Sequence, residues 1–533
     1  MPFAPVIERV VYFTTMMKSS PSRFHLAPIV STGLVAAYIV GSLQVYASNA
    51  HLLKTVTLLA NAGYLTVPNR LIAPYLKSLA TALMGGVFFA LSIGAGVTLT
   101  AFLMALTWKT IGRRKKSLAV LLALPWIALT AGVNLKGVSV FPSLYFTLVP
   151  LLVAALTLRF TPDRLDRSAW IRMGLHGALV LILAAAWSTQ AGSGMFITIR
   201  DRLLLSNPVG IGVNDFYYRY TLYPAEAFKS LHQKMLKTCR LHGFSDPVSK
   251  RKILRRLSAY NYLALGNGKT RSGAAAASAS ADNRAARASV DLTVSAGNDT
   301  LLLANGSRPV MEISSKEFLE KTAWVLKSFS EKCDRHLLFR QATFLSLLVG
   351  FPIVLYVGLQ FLLAGFLSLF IKPGAAAVAA ALLCLVAGTS MLIPVRSGMD
   401  GKITADRIPA LLQSEKWQDR VAALKAIAGQ KKNREFGTGM QTLTNDPHIP
   451  VRYWLARSLA RTRGSRAHTA LLELMGDPQP IVACQALYSL GRRRDKRAIN
   501  AILYQISHSD HWYVQWYGYN ALKALGWRQK ISI

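Results

Sequence analysis

Seven stretches of this chain run for 19 to 31 residues without a Lys, Arg, Asp or Glu: 24–53, 78–108, 117–135, 137–158, 173–199, 341–371 and 373–395. A helix rises about 1.5 Å per residue and needs about 20 apolar residues to cross a hydrocarbon core. Each stretch is therefore long enough to span a membrane once, and the rest of the chain has to be arranged around them. Only 16% of the 533 residues are charged and 52% are hydrophobic, where a soluble chain is about a quarter charged. That balance excludes an ordinary cytosolic enzyme and a disordered basic tail. The 62 Lys and Arg outnumber 25 Asp and Glu, for a net charge of +37. The four cysteines, at 239, 333, 384 and 484, lie too far apart for a disulfide framework or a four-cysteine zinc cluster.

The third and fourth stretches meet at Lys136 and the last two at Lys372-Pro373-Gly374, so each pair reads as a hairpin. Gly85-Gly86 and Gly94-x-Gly96 in the second stretch suit either a close helix–helix approach or a kinked span. Residues 51–67 read as an interfacial helix, and the first stretch as a retained anchor rather than a signal peptide. Basic residues in short loops set the orientation. Twelve precede the first span or follow the second and fourth, against Lys54, Arg70, Lys77 and Lys136 on the opposite side. The expectation is a cytoplasmic N-terminus in a bacterial inner membrane, with residues 200–340 periplasmic. The parity of seven crossings puts the C-terminal part there too. The domains expected are a membrane part at 1–199, an external α+β part at 200–340, a two-span hairpin at 341–397 and a repeat domain at 398–533.

No stretch contains a carboxylate, which argues against a proton- or cation-coupled transporter. His176 is the lone histidine of the fifth span and cannot alone supply two axial ligands to a haem. No cofactor or metal is expected. Residues 200–340 carry 23 basic and 12 acidic side chains. The loop 207–212 leads into Phe216, Tyr217, Tyr218, Tyr220 and Tyr223, which read either as a binding site or as a half-buried strand or belt of aromatics on lipid headgroups. A helix is expected over 225–241 and short strands over 258–265, 289–295, 300–304 and 310–313. The Ala/Ser-rich run 272–287 reads as a flexible loop. Ser314 and Glu317 are spaced as a capping box opening a helix to about residue 340. Cys239 and Cys333, both expected on helices, form a candidate disulfide. The basic run 250–256 reads as a solvated face or a contact for anionic headgroups, with nucleic acid placed last.

Beyond residue 398 a period appears. Asp446-Pro447 and Asp477-Pro478 recur 31 residues apart, followed by the stripes Val451/Leu455/Leu459 and Val482/Ala486/Leu490, and by Val514/Gly518/Leu522 in a third unit. With Ile427 ending an earlier unit, about four helix pairs are expected, each burying its apolar face against its neighbours. These residues resemble the short bacterial HEAT-like repeats, whose second helix follows Asp-Pro…Val-Arg…Ala…Leu-Gly. The resemblance covers about residues 403–528 and implies a protein-binding α-solenoid. The motif's Arg is Ala483 and Gln515 in the later units, so its inter-repeat bonding is not expected there.

The fold class read from the sequence is thus a polytopic α-helical membrane protein with a small α+β part and a C-terminal α-solenoid. The function it favours is a non-catalytic scaffold or accessory subunit of a membrane complex. The alternatives are a carrier or channel component for an anionic or lipid-like solute, and a membrane enzyme on lipid-linked or glycan substrates. Candidate partner-binding residues are Trp512, Trp516, Tyr519, Arg452, Arg457, Arg461, Arg492 and Arg493. Trp512, Trp516 and Tyr519 share a helix face opposite the Val514/Gly518/Leu522 stripe, and that face is expected to dock on a partner subunit or on the chain's own membrane part.

Overall fold

A computed structural model describes residues 26–112, 115–162, 167–189, 194–265, 290–396, 403–430, 438–462 and 464–529. Seven helices are long and apolar enough to cross a membrane: Leu26–Asn61, Leu79–Thr110, Lys116–Asn134, Val140–Phe160, Ala169–Ser188, Leu337–Leu367 and Pro373–Pro394. They fall on the seven uncharged stretches. The described residues group into two compact units, one within 1–40, 89–189 and 338–390 and the other within 41–88, 190–337 and 391–533. Residues 272–287 and the N-terminal basic residues lie outside the described residues.

In the first unit the glycines of the second span do what small residues allow. A Cβ on Gly94 would stand 2.6 Å from Ala37 Cβ, and one on Gly350 2.6 Å from Gly96 Cα. The span is also irregular, with a π-helical turn at Ala90–Gly94 facing a second at Ser346–Gly350. Such a turn frees backbone groups that hydrocarbon cannot satisfy. Ser346 satisfies them: its Oγ accepts from Gly96 N (2.7 Å) and donates to Ser92 O. Val30, Ala95 and Val354 pack beside this contact. Lys109 bends back so that its ammonium donates to the carbonyls of Leu158 and Thr161, at the end of the fourth span. His176 Nδ1 lies 2.9 Å from the Tyr356 hydroxyl, and the Trp187 indole donates to Gly388 O.

In the second unit, the segment 51–61 is not a separate interfacial helix. The first helix continues to Asn61, since no proline or glycine interrupts it between Gly41 and Gly63. It ends where Gly63 adopts φ +80°. The N–H groups of Gly63 and Tyr64 then bond Ala60 O and Leu59 O, as glycine past a helix end permits.

The α+β region is a five-stranded sheet of β1 (Lys237–His242), β2 (Tyr262–Ala264), β3 (Leu292–Ala296), β4 (Thr300–Asn305) and β5 (Arg308–Ser314), ordered β2-β1-β3-β4-β5. β1 is parallel to both its neighbours, and β3-β4-β5 form an antiparallel meander turned at Gly297-Asn298-Asp299 as the sequence indicates. Alternate residues Cys239/Leu241, Leu292/Val294 and Leu301/Leu303 face one core with Ile253, Leu257, Phe318, Val325 and Phe329 of the covering helices. The helix expected over 225–241 stops at Ala227, and its second half is β1. Two strand partners far away in sequence override the local helical preference of Lys-Met-Leu-Lys. Likewise Ser258 and Ala259 end the Pro247–Ala259 helix, so the strand expected at 258–265 is reduced to β2. Ser314 caps its helix through Glu317 N, but the helix breaks at Lys321 into Ser315–Glu320 and Thr322–Cys333. Cys239 therefore lies on a strand rather than a helix, and it is not joined to Cys333 in a disulfide. Burial raises the Cys239 thiol well above its usual range.

From residue 408 onward the described helices come in four pairs. Their second members are Trp417–Gly429, Ile449–Ser458 (extended by Leu459–Arg461), Pro480–Arg493 and Trp512–Ala524. Val451, Leu455, Leu459, Val482, Ala486, Leu490, Val514 and Leu522 are all buried, as their stripes require.

Candidate functional site

Residues 207–212 are not a loop, and the aromatic segment after them is not a strand. Asn207 caps a helix, Pro208–Tyr220, accepting from Gly210 N at 2.8 Å, with Pro208 at its first position. Asn as cap and Pro at the first turn are the residues that start helices. This places Phe216, Tyr217, Tyr218 and Tyr220 on one helix and Tyr223 on the next short one, Leu222–Ala227.

The two aromatic clusters singled out from sequence are each other's partners. Tyr217 and Tyr218 lie 6.3 and 5.0 Å from the Tyr513 ring, Tyr223 lies edge-on to Trp512 at 5.0 Å, and the Thr221 hydroxyl is 2.9 Å from that of Tyr513. Trp512 and Tyr519 are 5% and 2% exposed. Trp516 is half-buried and joins Trp512 in lining a cavity with Leu52, Val56, Leu59, Val67 and Leu236. At about 20 Å³ it holds about one water and no solute. Trp512 and Trp516 thus pack on this chain's own 52–67 and 223–236 segments, while Tyr519 meets Trp527 and Gln529.

Polar contacts complete the junction. The Gln529 amide pairs both ways with Leu65, accepting from its N–H at 3.0 Å and donating to its carbonyl at 2.7 Å. Asn69, 8% exposed, donates through Nδ2 to Ile506 O, Ser507 O and Ser509 O, the terminal carbonyls of the Ile499–His508 helix and its flank. Asn69 N in turn donates to Gln515 Oε1 at 2.8 Å.

Gln515 stands four residues after its helix cap, where the earlier pairs carry Arg420, Arg452 and Ala483. Arg420 bonds Asp446 at 2.8 Å, and Arg452 bonds Asp477 through two nitrogens at 2.6 and 3.1 Å, each tying one pair to the next. In the last pair the residue at this position turns instead to the loop after the first span.

A second buried contact was not anticipated. Asp201, 1% exposed, accepts from the Trp454 indole at 2.7 Å and lies 2.6 Å from Arg200 and 3.3 Å from Lys425. Arg200 stacks on Tyr453 at 3.9 Å, and Lys425 and Arg457 flank the Trp454 ring at 4.9 and 4.8 Å. Burial lowers the Lys425 ammonium, with Asp201 opposing. Burial likewise pushes Tyr218 far above the ordinary tyrosine range, with Cys484 and Tyr517 adding to it. Acids and bases here hold the chain together.

Of the arginines expected to bind a partner, Arg452 and Arg457 are engaged as described. Arg493 donates to Leu459 O (3.0 Å), Thr462 O and Gly464 O (3.1 Å), closing the end of the neighbouring pair. Arg461 donates to Gln430 O. Arg492 is exposed and stacks on exposed Tyr488. Gln515 was visible in the sequence as a departure from its motif. Nothing local marked Asp201, whose partners come from 253 and 224 residues away. Among the described residues no group of three or more His, Cys, Asp or Glu side chains is placed to hold a metal ion.

A scan against protein-family models finds no match, a search of curated proteins finds none, and a search of solved structures finds none.

Proposed function

We propose that this chain is a non-catalytic scaffold subunit of a membrane complex, in a bacterial inner membrane, with a HEAT-like array as its working surface. The observation that carries the reading is the use made of its polar and aromatic side chains. Arg420–Asp446, Arg452–Asp477, Asp201–Trp454 and Asn69–Gln515 lock three separated segments into one unit. A rigid platform is what a scaffold needs, and immobile anchors lose little entropy on binding.

The topology follows the same logic. Seven crossings would leave 54–77, 200–340 and 398–533 on one side, and these segments supply the unit. With short-loop charges as guide, that side is periplasmic and the N-terminus cytoplasmic. Since the Trp512 face is occupied, the partner surface moves to the exposed tyrosines beside the basic turn. These are Tyr488 (47% exposed), stacked by Arg492, and Tyr504 (64%), stacked on His508 at 3.9 Å. Tyrosine with arginine is the pairing that dominates interface energetics.

The experiment is native purification with mass spectrometry of the wild type and of the Tyr488→Ala/Tyr504→Ala double variant. Stable co-purifying subunits, lost from the variant while its thermal unfolding is unchanged, are expected. Purification of the wild type as a lone chain that carries solute across vesicles would overturn the scaffold reading.

A further inference from the structure

The Pro208–Tyr220 helix has three faces. Gly210, Asn214 and Tyr218 turn into the protein. Arg219 is exposed and Asp215 half-exposed on a second side. On the third, Val209, Val213 and Tyr217 are 78%, 54% and 50% exposed. They follow at intervals of four and so form one stripe along the helix. An exposed apolar stripe beside an exposed polar one suits a helix lying in the plane of a membrane surface.

Its depth can be reckoned from two neighbouring helices. Counting about 20 residues inward from Phe24, where the first uncharged stretch begins after Arg23, reaches Leu43. Counting the same number back from Trp108, which precedes Lys109 near the end of the second, reaches Phe89. The two reckonings agree to within about one turn: a Cβ on Gly85, four residues beyond Phe89, would touch Val45, two residues beyond Leu43, at 3.0 Å and Pro224 at 3.3 Å. At this level Phe88 stacks on Phe216 at 5.4 Å and meets Tyr217 edge-on at 6.4 Å. The stripe adjoins the ring that marks the edge of the hydrocarbon core.

We infer that the Pro208–Tyr220 helix is a membrane-surface helix whose Val209/Val213/Tyr217 stripe is occupied by lipid at the headgroup–acyl boundary. It rests on the reading that the seven apolar helices cross a bilayer.

The test uses the full chain in lipid nanodiscs with a Cys333→Ser background, the other three cysteines being buried. Nitroxides are attached singly at Val209→Cys, Val213→Cys, Val248→Cys and Leu181→Cys. Val248 is exposed on the Pro247–Ala259 helix and Leu181 on the fifth span. Collision with oxygen, which partitions into lipid, is compared with collision with a water-soluble nickel chelate. The expected result is oxygen exceeding the chelate at 209, 213 and 181, with the reverse at 248. Chelate-dominated collisions at 209 and 213 with an oxygen-dominated 181 would overturn the surface helix alone. Low collision with both at 213 would show protein on the stripe and overturn it too. A chelate-dominated 181 would overturn the membrane reading beneath it.

Discussion

Asp201 accepts the Trp454 indole and faces two cations from a site that is 1% exposed. Removing one partner of a buried pair leaves an uncompensated charge and costs roughly 3–5 kcal/mol. Asp201→Asn is expected to fall at the low end, because its oxygen still accepts from Trp454 while Arg200 and Lys425 lose their counter-ion. Thermal unfolding of the purified chain measures it, and an unchanged midpoint would show the contact to be dispensable. Lys237 gives a second residue-scale expectation. It is 5% exposed over the Tyr262 ring, and burial, helped by Lys523, pulls its ammonium down to about 8. The unfolded chain then binds the extra proton between about pH 8 and 10.5, so stability rises with pH across that window. A shift of this size corresponds to ~3 kcal/mol. Lys237→Met should be the more stable chain at pH 7, with the rise above pH 8 abolished in its chemical-denaturation profile.

Helices and strands were legible where their signal was local. The seven apolar stretches, the Asp-Pro period and the Gly297-Asn298-Asp299 turn all became the elements their residues imply. β1 was not legible, because Cys239 and Leu241 alternate for only one repeat and the strand exists through its pairing with Leu292–Ser295. The junction was half legible: both aromatic clusters stand out in the sequence, but nothing in either says that the other fills it. At this scale two predictions apply. Asn69→Ala removes the amide that donates to Ile506 O and Ser507 O at the end of the Ile499–His508 helix, while Ser509 O keeps the Gln515 amide. It should cost ~1–3 kcal/mol, read as a lowered unfolding midpoint with unchanged helical content. His511 caps the last helix, and burial beside Arg219 lowers it to about 4. It is neutral in the fold, so its contribution is complete above pH 6.5 and is lost as pH falls toward 4. His511→Gln should flatten that part of the stability profile by ~3 kcal/mol.

The whole molecule divides into two compact units, each gathered from three pieces of the chain. The membrane-impermeant labelling of single cysteines tests it directly. Arg251→Cys and Arg466→Cys, both exposed, should react from the same face, and Lys116→Cys from the other. Reaction of the first two from opposite faces would be incompatible with the unit. Because Asn69 and Gln529 close the last helix pair against the loop after the first span, the array has a reserved end. Duplicating a pair after Leu525 would strand both closures. Duplicating one between Arg461 and Ser465 would pull the Asp201 contacts of the first two pairs away from the Asn69 and Gln529 closures of the last. The number of pairs in descendants of such a chain should therefore stay fixed, as the length of a bridge is fixed once both abutments are built.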